Sequence, residues 1–205
     1  HIIRWLKAHQ TEGQPIREDG PESHTLTKVG TPTMGGFMIL LALVVATLIW
    51  ADLRNEYVWA ALGVTVGYGL IGSIDDYIKV SFNDSKGLSG KLKFLLQVII
   101  AAMATMWIIS LTSPPLATSI AIPFFKNVLI DLGWFFVVFA VVVMVGASNA
   151  VNLTDGLDGL AIGPAMIAAG VFAIISYLIG NKVFSGYLQV YYVPGAGELA
   201  VFCGA

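Results

Sequence analysis

Charge is scarce in this chain: 11 Lys and Arg and 13 Asp and Glu make up only 12 % of its 205 residues. That is about half the charged share of an average soluble domain, and it argues against an ordinary water-facing globular surface. Cysteine is rarer still. The single Cys203 excludes an internal disulfide, and as a lone thiol in apolar sequence it reads as a small buried hydrophobe. The net charge of -2 says little about partners, because distribution matters more than the sum; no nucleic-acid partner is expected. What fills the chain is oil: 57 % of its residues are apolar and the mean hydropathy is +0.80. The expected fold class is all-α, a polytopic integral membrane helical bundle. The chain opens on His1 and stops at Gly204-Ala205 as a new apolar run begins. It therefore reads as a fragment of a longer protein.

A helix needs ~20 apolar residues to cross a bilayer, and the apolar runs set out one membrane domain over residues 1–205. Transmembrane helices are expected over 34–51, 58–74, 94–111, 132–150 and 160–179, with the start of a sixth over 199–205. Residues 1–33 are a polar loop containing Pro15 and Pro21. Alternate connections carry unequal basic charge. Arg4, Lys7, Arg17, Lys28, Lys79, Lys86, Lys91 and Lys93 fall on one side, and Arg54, Lys126 and Lys182 on the other. The richer side is expected in the cytoplasm. Three polar stretches then meet there: Thr25 to Gly36, Asp75 to Lys93 and Asn149 to Gly159.

Asn149 to Gly159, NAVNLTDGLDG, interrupts two long uncharged runs. Polar groups in hydrocarbon must be satisfied or wetted, so this stretch is either a plain exposed turn or a site. Asp155 and Asp158 alone suit an Asx-type turn and do not fit a calcium loop. Asp75 and Asp76 close the second span. If the helix continues, Asp75 and Lys79 lie one turn apart on a common face. Two adjacent carboxylates at a helix C-terminus repel each other and oppose its dipole, which a cation would relieve. Carboxylates, lysines and phosphates sharing one surface suit Mg²⁺. Near Lys28, Thr33 is a candidate N-cap. Gly35 and Gly36 leave first-turn amides open to an anion, although a flexible hinge fits equally well. Ser85 to Leu92 glances at a P-loop but lacks its first Gly and its final Ser or Thr. Lys91 and Lys93 read as interfacial anchors, and Phe124-Phe125-Lys126 as an aromatic belt element.

GTPTMGG at Gly30 to Gly36, DDYIK at Asp75 to Lys79 and NAVNLTDGLDGLA at Asn149 to Ala161 together resemble the phospho-N-acetylmuramoyl-pentapeptide transferase (translocase I) family. That family sits within the polyprenyl-phosphate N-acetylhexosamine-1-phosphate transferases. The DGPESH and PFFK strings resemble it too, so the likeness covers nearly the whole chain. It implies a bundle of about ten membrane helices, each of the ~20 residues a bilayer demands, often as a homodimer. The implied site faces the cytoplasm of a bacterial inner membrane. The implied reaction moves phospho-MurNAc-pentapeptide from UDP-MurNAc-pentapeptide to undecaprenyl phosphate, with Mg²⁺, releasing UMP and forming lipid I for peptidoglycan.

By the same resemblance Asp75, Asp76, Lys79 and Asp155 are catalytic, and Asp75, Asp76 and Asp155 are metal-binding. Lys28, Thr33, Asn149, Asn152, Gly156, Leu157 and Asp158 line the nucleoside-sugar site. The family's later magnesium-binding Asp and His-rich loop lie beyond Ala205, so the fragment alone is expected to be inactive.

The acceptor phosphate, with a second pKa near ~6, is already mostly a dianion at neutral pH. It needs relief from charge repulsion more than it needs a base. Direct in-line attack is favoured, and an aspartyl-phosphate on Asp155 or Asp75 stays open. Three rival readings are a related GlcNAc-1-phosphate transferase, a non-catalytic nucleotide-sugar module and a cation transporter. The last requires acids inside the spans, whereas the acids here sit at span ends.

Overall fold

The computed structural model describes residues 35–82, 87–122, 125, 128–154 and 160–205. It is a helical bundle. We label its helices α1 (Gly35–Trp50), α2 (Glu56–Phe82), α3 (Gly90–Leu111), α4 (Phe135–Thr154), α5 (Ile162–Gly180), α6 (Lys182–Leu188) and α7 (Leu199–Gly204). Four of them, α2 to α5, are long and apolar enough to cross a membrane, and α1 is a shorter apolar helix. Many large apolar side chains face outward along these helices. A water-soluble protein would bury such side chains, and a bilayer solvates them. This is a multi-pass membrane protein.

Tight capping turns α1 back into α2. The Asp52 carboxylate accepts the Arg54 N–H at 3.0 Å, and Asn55 Oδ1 accepts the Tyr57 N–H at 2.9 Å. Side-chain oxygens thus satisfy donors at the start of α2 that have no partner within the helix. Beyond the turn, Ala51, Val58 and Leu62 form a small core with Leu43, Val44, Val201 and Phe202. The helices pack through small residues, with Ala60, Ala101 and Ala104 buried at their contacts. In lipid, where oil gains nothing from leaving oil, close backbone approach replaces the hydrophobic drive. Gly69 shows how close. A Cβ there would lie 2.6 Å from Leu40 Cδ2 of α1.

Along the bundle α2 packs on α1 and α3, α3 on α4, and α5 on α7. One end is tied by polar contacts. Asn55 Nδ2 donates to the Gly195 carbonyl at 2.7 Å, the Asp52 N–H to Glu198 at 2.9 Å, and the Trp107 indole to Glu56 at 3.1 Å. The same end carries an antiparallel hairpin of β1 (Ser119–Ala121) and β2 (Leu129–Asp131), with Ile120 opposite Ile130. Sequence periodicity did not indicate this hairpin, because three-residue strands are too short to show alternation. The expected belt residues Phe124 and Lys126 lie outside the described residues, and Phe125 is exposed.

At the opposite end the helices differ from their expected bounds. α2 does not stop at Ile74 but continues through Asp75–Lys79 to Phe82. α3 opens at Gly90, taking Lys91 and Lys93 into its first turn. α4 runs to Thr154, so that Asn149 and Asn152 are helical. Polar residues of these extensions find partners across helices, Asp75 with Lys93 and Asn149 with Gln97. The expected loop over residues 1–33 lies outside the described residues.

Candidate active site

The site is built around Asp75, which is only 7 % exposed although charged. A buried carboxylate survives when its oxygens are paired, and here both are. Lys79 Nζ lies 2.7 Å from Oδ2, one helical turn along α2. Lys93 Nζ of α3 stands 3.8 Å from the same oxygen. Oδ1 accepts the Leu88 N–H at 2.8 Å. The cations that relieve the Asp75-Asp76 repulsion are therefore lysines, one from each of two helices. Because α2 continues to Phe82, the pair also stands clear of its last turn, where the dipole would oppose negative charge.

Asp76 points elsewhere. Its side chain is 38 % exposed, and among the described residues its nearest cation, Lys79, is 4.0 Å away. It lies in the wall of a pocket of about 200 Å³ between α1 and α2, with Gly36, Leu40, Gly69, Gly72 and Ser73. Gly36 ends the GTPTMGG string and Asp76 belongs to DDYIK, so this pocket joins two of the three polar motifs.

The third motif arrives by way of α3. Asn149 Nδ2 donates to Gln97 Oε1 at 2.9 Å and to the Val145 carbonyl at 2.8 Å. Gln97 lies one turn beyond Lys93 on α3. The amide nitrogen of Asn149 is thus engaged inside the bundle, while Asn152, the next turn along, is exposed at the end of α4. Lys28, Thr33, Asp155, Gly156, Leu157 and Asp158 lie outside the described residues.

Among the described residues no group of three or more His, Cys, Asp and Glu could hold a metal ion by itself. The donor chemistry still suits magnesium in one respect. Mg²⁺ is commonly held by one or two carboxylates together with substrate phosphates, and Asp76 offers a carboxylate to an open pocket. Asp75 has both carboxylate oxygens engaged, one by Lys79 and Lys93 and the other by the Leu88 N–H.

Sequence reasoning passed over three contributors. Lys93 was read as an interfacial anchor, but it reaches into the Asp75 cluster. The signal was there in the spacing Lys93, Gln97, Ala101, Thr105, a polar and small stripe at every fourth residue of an apolar helix. Gly87 and Leu88 belong to the stretch that fails the P-loop match, yet the Leu88 N–H donates to an anion, the Asp75 carboxylate.

Paired carboxylates, lysines and an exposed amide at one end of a helical membrane bundle suit the handling of phosphates. Residues 58–202 match the model of glycosyl transferase family 4, and the chain belongs to that family. A curated relative gives more detail. The phospho-N-acetylmuramoyl-pentapeptide-transferase of Granulibacter bethesdensis (strain ATCC BAA-1260 / CGDNIH1) is 61 % identical over 204 residues, covering 100 % of this chain and 56 % of the relative. The chain thus spans about half the length of the curated relative it matches.

Proposed function

We propose that this chain forms part of the active site of a phospho-MurNAc-pentapeptide transferase of the bacterial cytoplasmic membrane. The donor would be UDP-MurNAc-pentapeptide and the acceptor undecaprenyl phosphate. The products would be UMP and lipid I, the first lipid-linked precursor of peptidoglycan. The observation that carries the reading is the division of labour between adjacent acids. Lys79 and Lys93 neutralise Asp75, while Asp76 opens on a pocket shared with Gly36. The 61 % identity to a transferase with that name supports the substrate class.

An oxygen of the acceptor phosphate attacks the phosphorus attached to the sugar. The bond from that phosphorus to the bridging oxygen breaks, and UMP leaves with the electron pair. No proton need move, because the acceptor is a dianion near neutral pH. The barrier is mainly repulsion between anions, so the residues contribute charge and position. Asp76 and Asp155 would hold Mg²⁺ together with phosphate oxygens, and Asp158 and Asn152 would line the nucleoside-sugar side. Bound Mg²⁺ would neutralise charge on the phosphates. Lys79 pairs with Asp75, which keeps a second full negative charge from facing the phosphates. One diphosphate replaces another, so the reaction should run in reverse with UMP.

Membranes carrying the full-length protein, given labelled UDP-MurNAc-pentapeptide, undecaprenyl phosphate and Mg²⁺, should form labelled lipid and exchange label with UMP. Asp76→Asn should lower kcat by at least ~10²-fold, the scale for losing one such electrostatic contact. Binding of the nucleotide-sugar with no transfer and no exchange would instead mark a binding module. Preference for UDP-GlcNAc would mark the related GlcNAc-1-phosphate transferases.

A further inference from the structure

Asp76 sits on α2 and Asn152 on α4, yet neither helix sets the position of the other directly. Both pack on α3, and at the level just beneath the site a single residue of α3 touches both. Gln97 is 4 % exposed. Its backbone carbonyl accepts the Tyr68 hydroxyl of α2 at 3.1 Å, and its side-chain oxygen accepts Asn149 Nδ2 of α4 at 2.9 Å. One turn toward the membrane surface, Lys93 on the same face of α3 approaches Asp75. Below Gln97 the buried residues of α3 are small or bear a hydroxyl. Among the described residues, side-chain hydrogen bonds between α3 and α2 return only at the far end, from Trp107 to Glu56 and between Tyr57 and Thr112. Ala101 and Ala104 are buried, and Thr105 donates back to the Ala101 carbonyl. Small residues allow helices to approach but leave their relative height free. A directional hydrogen bond between two amides in an apolar layer sets that height, since sliding strands polar groups where no water can reach them.

From this geometry we infer that Gln97 is a positioning residue. It registers α4 against α2, and so fixes the height of the Asn149–Thr154 end relative to Asp75, Asp76 and Lys79. The inference rests on the proposed function only in what the register serves. Nucleotide-sugar contacts from α4 must meet phosphate contacts from α2 within a fraction of an ångström. A misplacement of about 1 Å can lower a rate on the order of 10²-fold.

The test uses the full-length protein in nanodiscs with Gln97→Met and Gln97→Glu. Met keeps the length of the side chain and loses the acceptor, whereas Glu keeps an acceptor oxygen for Asn149. Spin labels at Ser81 and Leu153, both exposed near the ends of α2 and α4, report the distance between those ends on an otherwise cysteine-free background. Q97M should broaden or shift the wild-type distance distribution, and Q97E should keep it. In kinetics Q97M should lower kcat on the order of 10²-fold, while KM for the nucleotide-sugar changes by less than about threefold, because binding groups on α4 stay intact. Q97E should recover most of kcat.

A wild-type distance distribution in Q97M overturns the inference, as does equal damage in Q97M and Q97E. Should Q97M fail to accumulate, Tyr68→Phe removes one oxygen from the same junction. A broadened Ser81–Leu153 distance then supports the inference and an unchanged one overturns it. Absence of any transfer by the full-length wild-type protein would sink the functional reading alone, and the distances would still decide the role of Gln97.

Discussion

Gly87 lies so close to Asp75 that no side chain fits between them: a Cβ on Gly87 would stand 2.5 Å from Asp75 Oδ1. The glycine also has φ of +58°, a left-handed conformation that other residues adopt at a cost of about 1 kcal/mol or more. From this tight turn the Leu88 N–H is delivered to the buried carboxylate.

Gly87→Ala should therefore combine backbone strain with a clash against Asp75 and Lys79. The expected loss is about 2 kcal/mol or more of stability, read as a lowered unfolding temperature in detergent or nanodiscs. Gly90→Ala is the control, since a Cβ there meets nothing within 4 Å. Equal melting of the two variants would show that the loop does not rest on Asp75.

The two lysines at Asp75 should not be equivalent. Lys79 is at 2.7 Å with its side chain 15 % exposed, and Lys93 is at 3.8 Å and 26 % exposed. Removing the closer partner leaves a buried charge poorly compensated, at a cost of about 3 kcal/mol. Lys79→Met should destabilise by roughly that amount. Lys93→Met leaves the shorter pair intact and should cost about 1 kcal/mol or less. Denaturant unfolding of both variants ranks them, and a larger loss from Lys93→Met would reverse the assignment.

The hairpin at the far end should respond to acid. Asp131 accepts hydrogen bonds from the Thr118 hydroxyl at 2.7 Å and the Gly133 N–H at 2.9 Å, and these hold its carboxyl below the ordinary 3.8. A group depressed in the folded state contributes stability above its unfolded pKa. That contribution fades as pH falls through the folded value. Amide exchange at Ile120 and Ile130 should accelerate only below about pH 4. Thr118→Val, which removes the largest contribution, should bring the folded value back towards 3.8 and so shrink the acid-labile part of the protection. An acid response of undiminished size in the variant would detach Asp131 from the hairpin's stability.

The two ends of the bundle should also differ in access. Tyr187, 84 % exposed on α6, shares its end with the hairpin, and Ser81 shares its end with the acidic pair. From the bias of Lys and Arg, Ser81 is expected on the cytoplasmic side. In intact cells a membrane-impermeant thiol reagent should label Tyr187→Cys and spare Ser81→Cys. The opposite pattern would invert the orientation and move the site to the outer face.

Long uncharged runs, with their spans and helical class, were legible in the sequence, because hydrocarbon admits few backbone solutions and the required length is fixed. So was the grouping of three polar motifs at one end, since span parity and basic residues follow from local composition. The pairing of Asp75 with Lys79 could be anticipated as soon as α2 was allowed to continue, because both residues lie on one helix. What only the tertiary structure decided were contacts between helices. Asp75 is the supported acid and Asp76 the open one because α3 brings Lys93, and the loop brings Leu88, to one of two otherwise similar carboxylates. Likewise, Asn149 turns inward because Gln97 stands opposite, and no pattern along α4 alone encodes that neighbour. Local sequence fixes which groups a helix carries. Which of them are satisfied inside and which remain open to a substrate depends on what the next helix presents at the same depth.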